Sequence, residues 1–238
     1  MQRAATRVRG VDSTIDADDG GFRPIPKDQP QPGASLREIF VFFAAKPSPR
    51  IIASTFVVAT ASRLAIGGWG WWDLAIPAAV IALEPITEWV IHVHVLHRRP
   101  TQLGRFTIDP ITSRKHREHH RNPKDLRIVM VPFQALFPAL FLALLAALLL
   151  EPARAAMLVA SAFGMLLYYE WVHYLIHSPY RAKSAWFRNV SRNHIKHHFK
   201  NEHYWFGVTV SLGDRLLGTK PDEHEVETSP TVRTLGIE

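Results

Sequence analysis

The sequence predicts an all-α integral membrane protein, with four transmembrane helices in two hairpins and a cytoplasmic helical cap at one end of them. Three observations predict it. Four apolar runs approach the roughly 20 residues that a crossing requires, basic residues concentrate in one connector, and all thirteen histidines lie at or beyond position 92. At 238 residues and 47% hydrophobic content, the chain suits one compact unit rather than two cores.

Taken in order, residues 1–35 carry acidic groups and Pro24, Pro26, Pro30 and Pro32, and read as a disordered cytoplasmic tail. Arg3, Arg7 and Arg9 lead into no apolar core, so no cleavable secretory signal is expected. Residues 36–220 form the membrane domain. Its first segment, 36–46 (LREIFVFFAAK), is a short apolar helix stopped by Pro47 and Pro49, too short to cross and expected to lie on the membrane surface. The spans are expected at about 51–68, 74–91, 128–150 and 155–173, and residues 221–238 form a C-terminal tail.

Only the third run is cleanly apolar. The second holds Pro77, Glu84, Pro85 and Glu88, and the fourth ends in Tyr168, Tyr169 and Glu170, so a soluble helical bundle competes with the membrane fold. Charge asymmetry favours the membrane. The connector 98–127 contains Arg98, Arg99, Arg105, Arg114, Lys115, Arg117, Arg121, Lys124 and Arg127, whereas 69–73 has no basic residue and 151–154 only Arg154. By the positive-inside rule both termini, the central connector and the histidines are expected on the cytoplasmic side. The turns 67–73 (GGWGWWD) and 151–154 (EPAR) then face the other side, with Trp69, Trp71 and Trp72 at the interface. Lys and Arg outnumber Asp and Glu by 28 to 21, and this distribution assigns the excess to membrane topology rather than to nucleic acid.

No cysteine occurs, which excludes disulfides, thiolate metal sites, a cysteine nucleophile and a cysteine-ligated iron–sulfur cluster. The histidines form four boxes: His92 and His97 (HxxxxH), His116, His119 and His120 (HxxHH), His173 and His177 (HxxxH), and His194, His197 and His198 (HxxHH). On a helix, residues three or four apart share a face, so HxxHH aims at least two rings at one point and HxxxH aims both. HxxxxH is different: five residues at about 100° each leave the rings roughly 140° apart, so His92 and His97 flank a site or serve different metals unless the helix is distorted there.

Neutral imidazoles bind iron, zinc, copper or nickel, and ten exceed what one ion takes, so two ions are expected. His203 either completes a coordination sphere or stands outside it, and His94 and His224 read as surface or hydrogen-bonded rings rather than ligands. Glu88 and Glu170, one turn before His92 and His173, are placed to hydrogen-bond an imidazole and set its tautomer, against the alternative of a helix-end charge. Asp214 has three open roles: contact with Arg192, contact with Arg215, or a turn.

There is no HExxH for a zinc protease and no Glu-x-x-His pair of the soluble di-iron bundle. The ordered boxes, together with the ending FGVTVSLGDRLLGT at 206–219, resemble the fatty acid hydroxylase superfamily, which includes sterol desaturases; the resemblance spans roughly residues 85–220. It implies two non-haem Fe ions, with zinc acceptable to the same imidazoles on purification, that use O2 to hydroxylate an unactivated C–H bond of a fatty acyl or sterol-like lipid. The implied ligands are His92, His97, His116, His119, His120, His173, His177, His194, His197 and His198, with no catalytic residue beyond them; His94 and His203 lie outside the core pattern.

The HPGG of a fused cytochrome b5 domain is missing, so electrons are expected from a separate ferredoxin- or cytochrome-type partner. Lipid desaturation and carotenoid hydroxylation stay open within this chemistry. A divalent-metal transporter or a non-catalytic metal scaffold are the readings from other classes.

Overall fold

The computed structural model describes residues 25–181 and 183–237, and over them the chain is mostly helical. Residues 1–24 of the expected tail lie outside the described residues. The remainder of that tail is packed: Gln29 is buried, its amide donating to the Lys124 carbonyl (2.8 Å) and accepting from Leu126 N (2.9 Å). One primary amide thus serves two backbone groups of a non-helical stretch, which holds the segment down.

Helix α1 (Leu36–Ala44) opens with a capping box, in which Ser35 Oγ accepts from Glu38 N and the Glu38 carboxylate accepts from Ser35 N. Its Ile39 and Phe43 are buried, and Tyr174 Oη donates to the Ile39 carbonyl. Helix α2 (Pro47–Ile66) follows directly. Pro47 therefore starts a helix instead of only stopping one, because its missing N–H is an orphan in the first turn anyway. Helix α3 (Trp72–Ile91) returns, and the turn between them is closed by Arg63, which donates to both carboxylate oxygens of Asp73 (2.5 and 2.7 Å) and to the Gly67 carbonyl (2.7 Å). A two-stranded hairpin, β1 (Thr101–Leu103) and β2 (Phe106–Ile108), precedes α4 (Ile111–Arg121). Then come α5 (Phe137–Leu149), α6 (Pro152–His177), α7 (Ala185–Phe199) and the short α8 (Leu212–Leu216).

Three helical segments are long and apolar enough to cross a membrane: Pro47–Ile66, Trp72–Leu96 and Pro152–His177. In their most apolar windows only 22%, 17% and 28% of residues are buried, whereas a soluble bundle would bury its apolar faces. The fourth expected span, 128–150, is represented by a shorter apolar helix, Phe133–Leu149. Pro132 lacks an N–H and biases Val131 towards an extended conformation, so helix begins only with a 3-10 turn (Phe133–Leu136) that leads into α5, and the segment falls short of the length of the other three.

Helix α6 packs along α2, α3 and α5, and carries the chain into the main core. That core (Ile39, Phe43, Leu126, Val129, Met130, Val172, Tyr174, Leu175, Ile176, Phe187, Val190, Val208) sits in the cap beside the histidines, while the spans share only a small cluster around Ile52, Leu136 and Phe163. The C-terminal segment is also a correction to the expected tail. Val232 and Leu235 are buried, Ser229 N donates to the Lys200 carbonyl (2.7 Å), and Arg121 donates to the Ile237 carbonyl (2.9 Å). The chain end is a strap across α4 and α7.

Helix α8 approaches α3 so closely that a Cβ on Gly213 would lie 2.3 Å from the Pro85 carbonyl oxygen. Gly213→Ala is therefore expected to lower stability by about 1–3 kcal/mol through backbone overlap, measured as a lower thermal midpoint in detergent. An unchanged midpoint would show that the two backbones separate freely.

Candidate metal centre

Boxes one and three sit where α3 and α6 enter the cap, and boxes two and four on helices of the cap itself. Box one lies on a π-helical segment (His92–Leu96) that continues α3, with His97 N donating to the His92 carbonyl at 3.0 Å. This i→i+5 bond widens the turn, so residues five apart come to one side, and the two rings meet at 5.0 Å between centroids. The distortion that HxxxxH required is present. Box two lies on α4, box three at the end of α6, and box four on α7.

The ten histidines form two groups of five: His92, His97, His116, His120 and His197 in the first, and His119, His173, His177, His194 and His198 in the second. Within each group the potential ligand atoms all lie within 4.8 Å of one another. The HxxHH boxes divide by helical phase. His116 and His120, four apart, join the first group while His119 turns to the second; His194 and His198 join the second while His197 turns to the first. Helices α4 and α7 therefore each contribute to both groups and tie them into one centre.

The contacts within a group are not hydrogen bonds. His194 Nε2 lies 3.0 Å from the Nε2 atoms of His173, His177 and His198 at once, and one ring nitrogen makes one hydrogen bond. His116 Nε2 similarly faces His92 and His120, both at 3.2 Å. Such spacings match the edges of a polyhedron of nitrogen donors about 2.1 Å from a shared ion, for which an octahedral edge is about 3.0 Å. Both groups are able to hold a metal ion, consistent with a di-metal site.

Burial and the neighbouring imidazoles push His97, His116, His119, His194, His197 and His198 well below the ordinary histidine range. Burial brings His120 down to about 3. At neutral pH these rings are uncharged and keep a lone pair for a metal.

The ring nitrogens opposite the ligand atoms are oriented by backbone carbonyls. His92 Nδ1 meets the Phe206 carbonyl (2.8 Å), His197 Nδ1 that of Tyr204 (2.8 Å), His120 Nδ1 that of Val232 (3.0 Å), and His177 bonds the Pro123 carbonyl. A carbonyl only accepts, so Nδ1 carries the hydrogen and Nε2 stays free. Among the described residues, Nδ1 of His119, His194 and His198 has no such partner.

The expected carboxylate–imidazole pairs are not formed. Glu88 accepts from Val208 N, Thr209 N (3.1 Å) and Thr209 Oγ1 (2.7 Å), and Glu170 accepts from Ser48 Oγ (2.7 Å) and Val131 N (3.0 Å). Backbone N–H groups of a buried loop need a strong acceptor, and the His92 ring already has one. Glu88 still acts on the centre at one remove, by holding the loop whose Phe206 carbonyl orients His92. Asp214 does the same from the other side, accepting from Phe206 N (2.9 Å), Gly207 N (2.8 Å) and Thr219 Oγ1 (2.7 Å), which settles its open role as a turn. His203, by contrast, stands outside both groups, 68% exposed beside Glu202, and His94 is exposed.

Thr209 Oγ1 also contacts Glu84 Oε1 at 2.7 Å. A hydroxyl has one hydrogen, so one of its two carboxyl contacts is completed by a proton on a carboxyl, and an amide at position 84 can replace it. Glu84→Gln is expected to keep full metal content. Glu88→Ala strands two buried N–H donors, costing about 1–3 kcal/mol, and should weaken metal retention in the first group; equal metal in both variants would remove Glu88 from the support of His92. Sequence reasoning passed over Glu84, although it lies one helical turn before Glu88 on the same face.

Residues 77–219, more than half of the chain and including all ten histidines, match the family model described as fatty acid hydroxylase. Fatty acid 2-hydroxylase of Rattus norvegicus is 28% identical over 135 residues, covering 56% of this chain and 36% of that protein. A dihydroceramide fatty acyl 2-hydroxylase of Arabidopsis thaliana is 35% identical over 105 residues, covering 43% of this chain and 44% of that one. This chain thus spans well under two thirds of the relatives' length. Among solved structures, full-length Scs7p, with only its hydroxylase domain visible, superposes with a TM-score of 0.58 at 18% identity, covering 80% of this chain and 68% of that chain. That likeness concerns the fold.

Proposed function

The chain belongs to the fatty acid hydroxylase family, and on that premise we propose that it is a membrane-bound di-iron monooxygenase that hydroxylates an unactivated C–H bond of a fatty acyl lipid. The observation that carries this reading is the pair of five-imidazole groups, each able to hold one ion and joined through α4 and α7.

His92, His97, His116, His120 and His197 would hold one iron, and His119, His173, His177, His194 and His198 the other. When bound, the irons supply O2 activation and the oxidising power that no side chain has. The rest falls to the chain. Neutral imidazoles keep both ions in place, the carbonyls of Phe206, Tyr204 and Val232 hold Nδ1–H and so aim Nε2, and burial keeps bulk water out. Hydroxylation places one oxygen atom of O2 in the C–H bond, while the other leaves as water on receipt of two electrons and two protons. A separate ferredoxin- or cytochrome-type protein is the proposed donor, docking on the basic cap, which we place on the cytoplasmic side by the positive-inside rule.

Boxes one and three sit where α3 and α6 end, and boxes two and four on α4 and α7, outside the candidate spans, not at mid-span as a transported ion's path would need, which supports an enzyme over a metal transporter. The test is to purify the protein anaerobically, count iron, then supply O2, a reducing system and membrane lipid extract. The expected result is two irons per chain and a lipid heavier by one oxygen atom. An alkene product would redirect the reading to desaturation, and iron-loaded, reduced protein that consumes no O2 would end it.

A further inference from the structure

The hairpin β1–β2 takes no part in the metal centre, yet its construction is specific. Its register pairs Thr101 with Ile108, Gln102 with Thr107 and Leu103 with Phe106. Side chains alternate across a strand, so Leu103, Phe106, Ile108 and Thr101 share one face, and Gln102 and Thr107 the other, joined by a 2.8 Å hydrogen bond. All six residues are exposed, Leu103 at 65% and Phe106 at 62%. A lone two-stranded ribbon gains little by leaving such a face in water.

The ribbon is also fixed in place. Arg117, buried between two ligand positions on α4, donates to Asp109 Oδ2 (2.5 Å) and to the Arg98 carbonyl (3.2 Å), clamping both legs to the histidine layer.

We propose that this hairpin is a membrane-surface anchor, with its apolar face in the interfacial layer of an anionic bilayer and Arg98, Arg99 and Arg105 against lipid phosphates. The proposal rests on reading α2, α3 and α6 as membrane spans. The second of the three candidate spans ends at Leu96, five residues before Thr101, which keeps the ribbon within about 17 Å of the span's end. Val90, Ile91 and Val95 are exposed, so the apolar surface continues along the span to the ribbon's base. The three arginines are exposed, no acidic residue lies between 93 and 108, and the Arg105 guanidinium rests 5.0 Å over the Phe106 ring. Arginine beside an aromatic ring is suited to the headgroup layer, with the ring in the acyl boundary and the charge on phosphate.

The chain lacks cysteine, so single labels report cleanly. Leu103→Cys, Phe106→Cys, Gln102→Cys and, as a reference on the exposed side of α3, Ile81→Cys are labelled with an environment-sensitive fluorophore. The iron-loaded full chain is then reconstituted into phosphatidylcholine vesicles with or without phosphatidylglycerol. Labels at 103 and 106 are expected to shift to the blue, to be quenched by spin-labelled lipid, and to resist aqueous iodide several-fold better than the label at 102, with a larger effect in anionic vesicles. Iodide access at 103 and 106 equal to that at 102 overturns the proposal. So does protection that appears only when an acidic redox protein is added, which would make the face a protein-docking site. The label at 81 separates the two readings: if it is lipid-quenched while 103 and 106 are not, the membrane spans stand and the anchor falls.

Discussion

His194→Ala is expected to empty the second histidine group and abolish turnover while the protein remains folded. His194 Nε2 is the vertex at which His173, His177 and His198 converge, each at 3.0 Å, so its loss removes three edges of one polyhedron. Losing an outer hydrogen bond of a metal ligand costs roughly 10–100-fold in affinity or activity; loss of a ligand at a shared vertex should exceed that range. Iron counted per chain should fall from two to about one, because the first group shares no ligand with the second. His203→Ala and His94→Ala remove rings that belong to neither group, and should retain both irons and full activity. A His194→Ala protein with both irons would refute the assignment of ligands.

Truncation after Lys220 should be the most damaging change outside the ligands themselves. It removes the strap whose Val232 carbonyl holds His120 Nδ1, along with the contacts of Ser229 with Lys200 and of Ile237 with Arg121. It also frees Glu202, whose carboxylate accepts from Thr231 Oγ1 at 2.5 Å. The strap lies beyond residue 219, where the family match ends, so this support belongs to the chain's own C-terminal segment. Metal affinity of the first group is expected to fall by roughly 10–100-fold, while the second keeps its iron. Isothermal titration of the iron-free protein, together with Mössbauer spectra that resolve the two irons, would separate this from general unfolding, in which both sites weaken alike. A truncated protein with two sites of native affinity would show the strap to be a cover only.

Legibility from sequence followed how local each interaction is. That His173 and His177 face one point, and that each HxxHH box aims at least two rings at one point, was readable because helical phase alone brings residues three or four apart to one side. So was the surplus of imidazoles over what one ion takes, matched by two groups each able to hold a metal ion. The split of each HxxHH box was not, since the destination of His119 and His197 depends on which helix lies opposite. The carboxylates Glu88 and Glu170 misled for a related reason: proximity to a histidine along the helix counts for less than the unpaired backbone donors of loops 206–209 and 128–132, which folding brings to them from more than a hundred and about forty residues away. The 128–150 run becomes helical only from Phe133, because of Pro132 and the capture of Val131 N by Glu170, both of which hydropathy ignores.

The amino-acid sequence by itself determined the long apolar segments, the ten imidazoles, their helical phasing and the exclusion of thiolate ligands, because each is a property of residue type or short-range spacing. Only the tertiary structure decided which five rings gather into each group able to hold an ion, how a π turn lets His92 and His97 meet, and which carbonyls set their tautomers. A backbone carbonyl is the same chemical group at every position, so its selection as a partner for His92, His120 or His197 is made by packing alone.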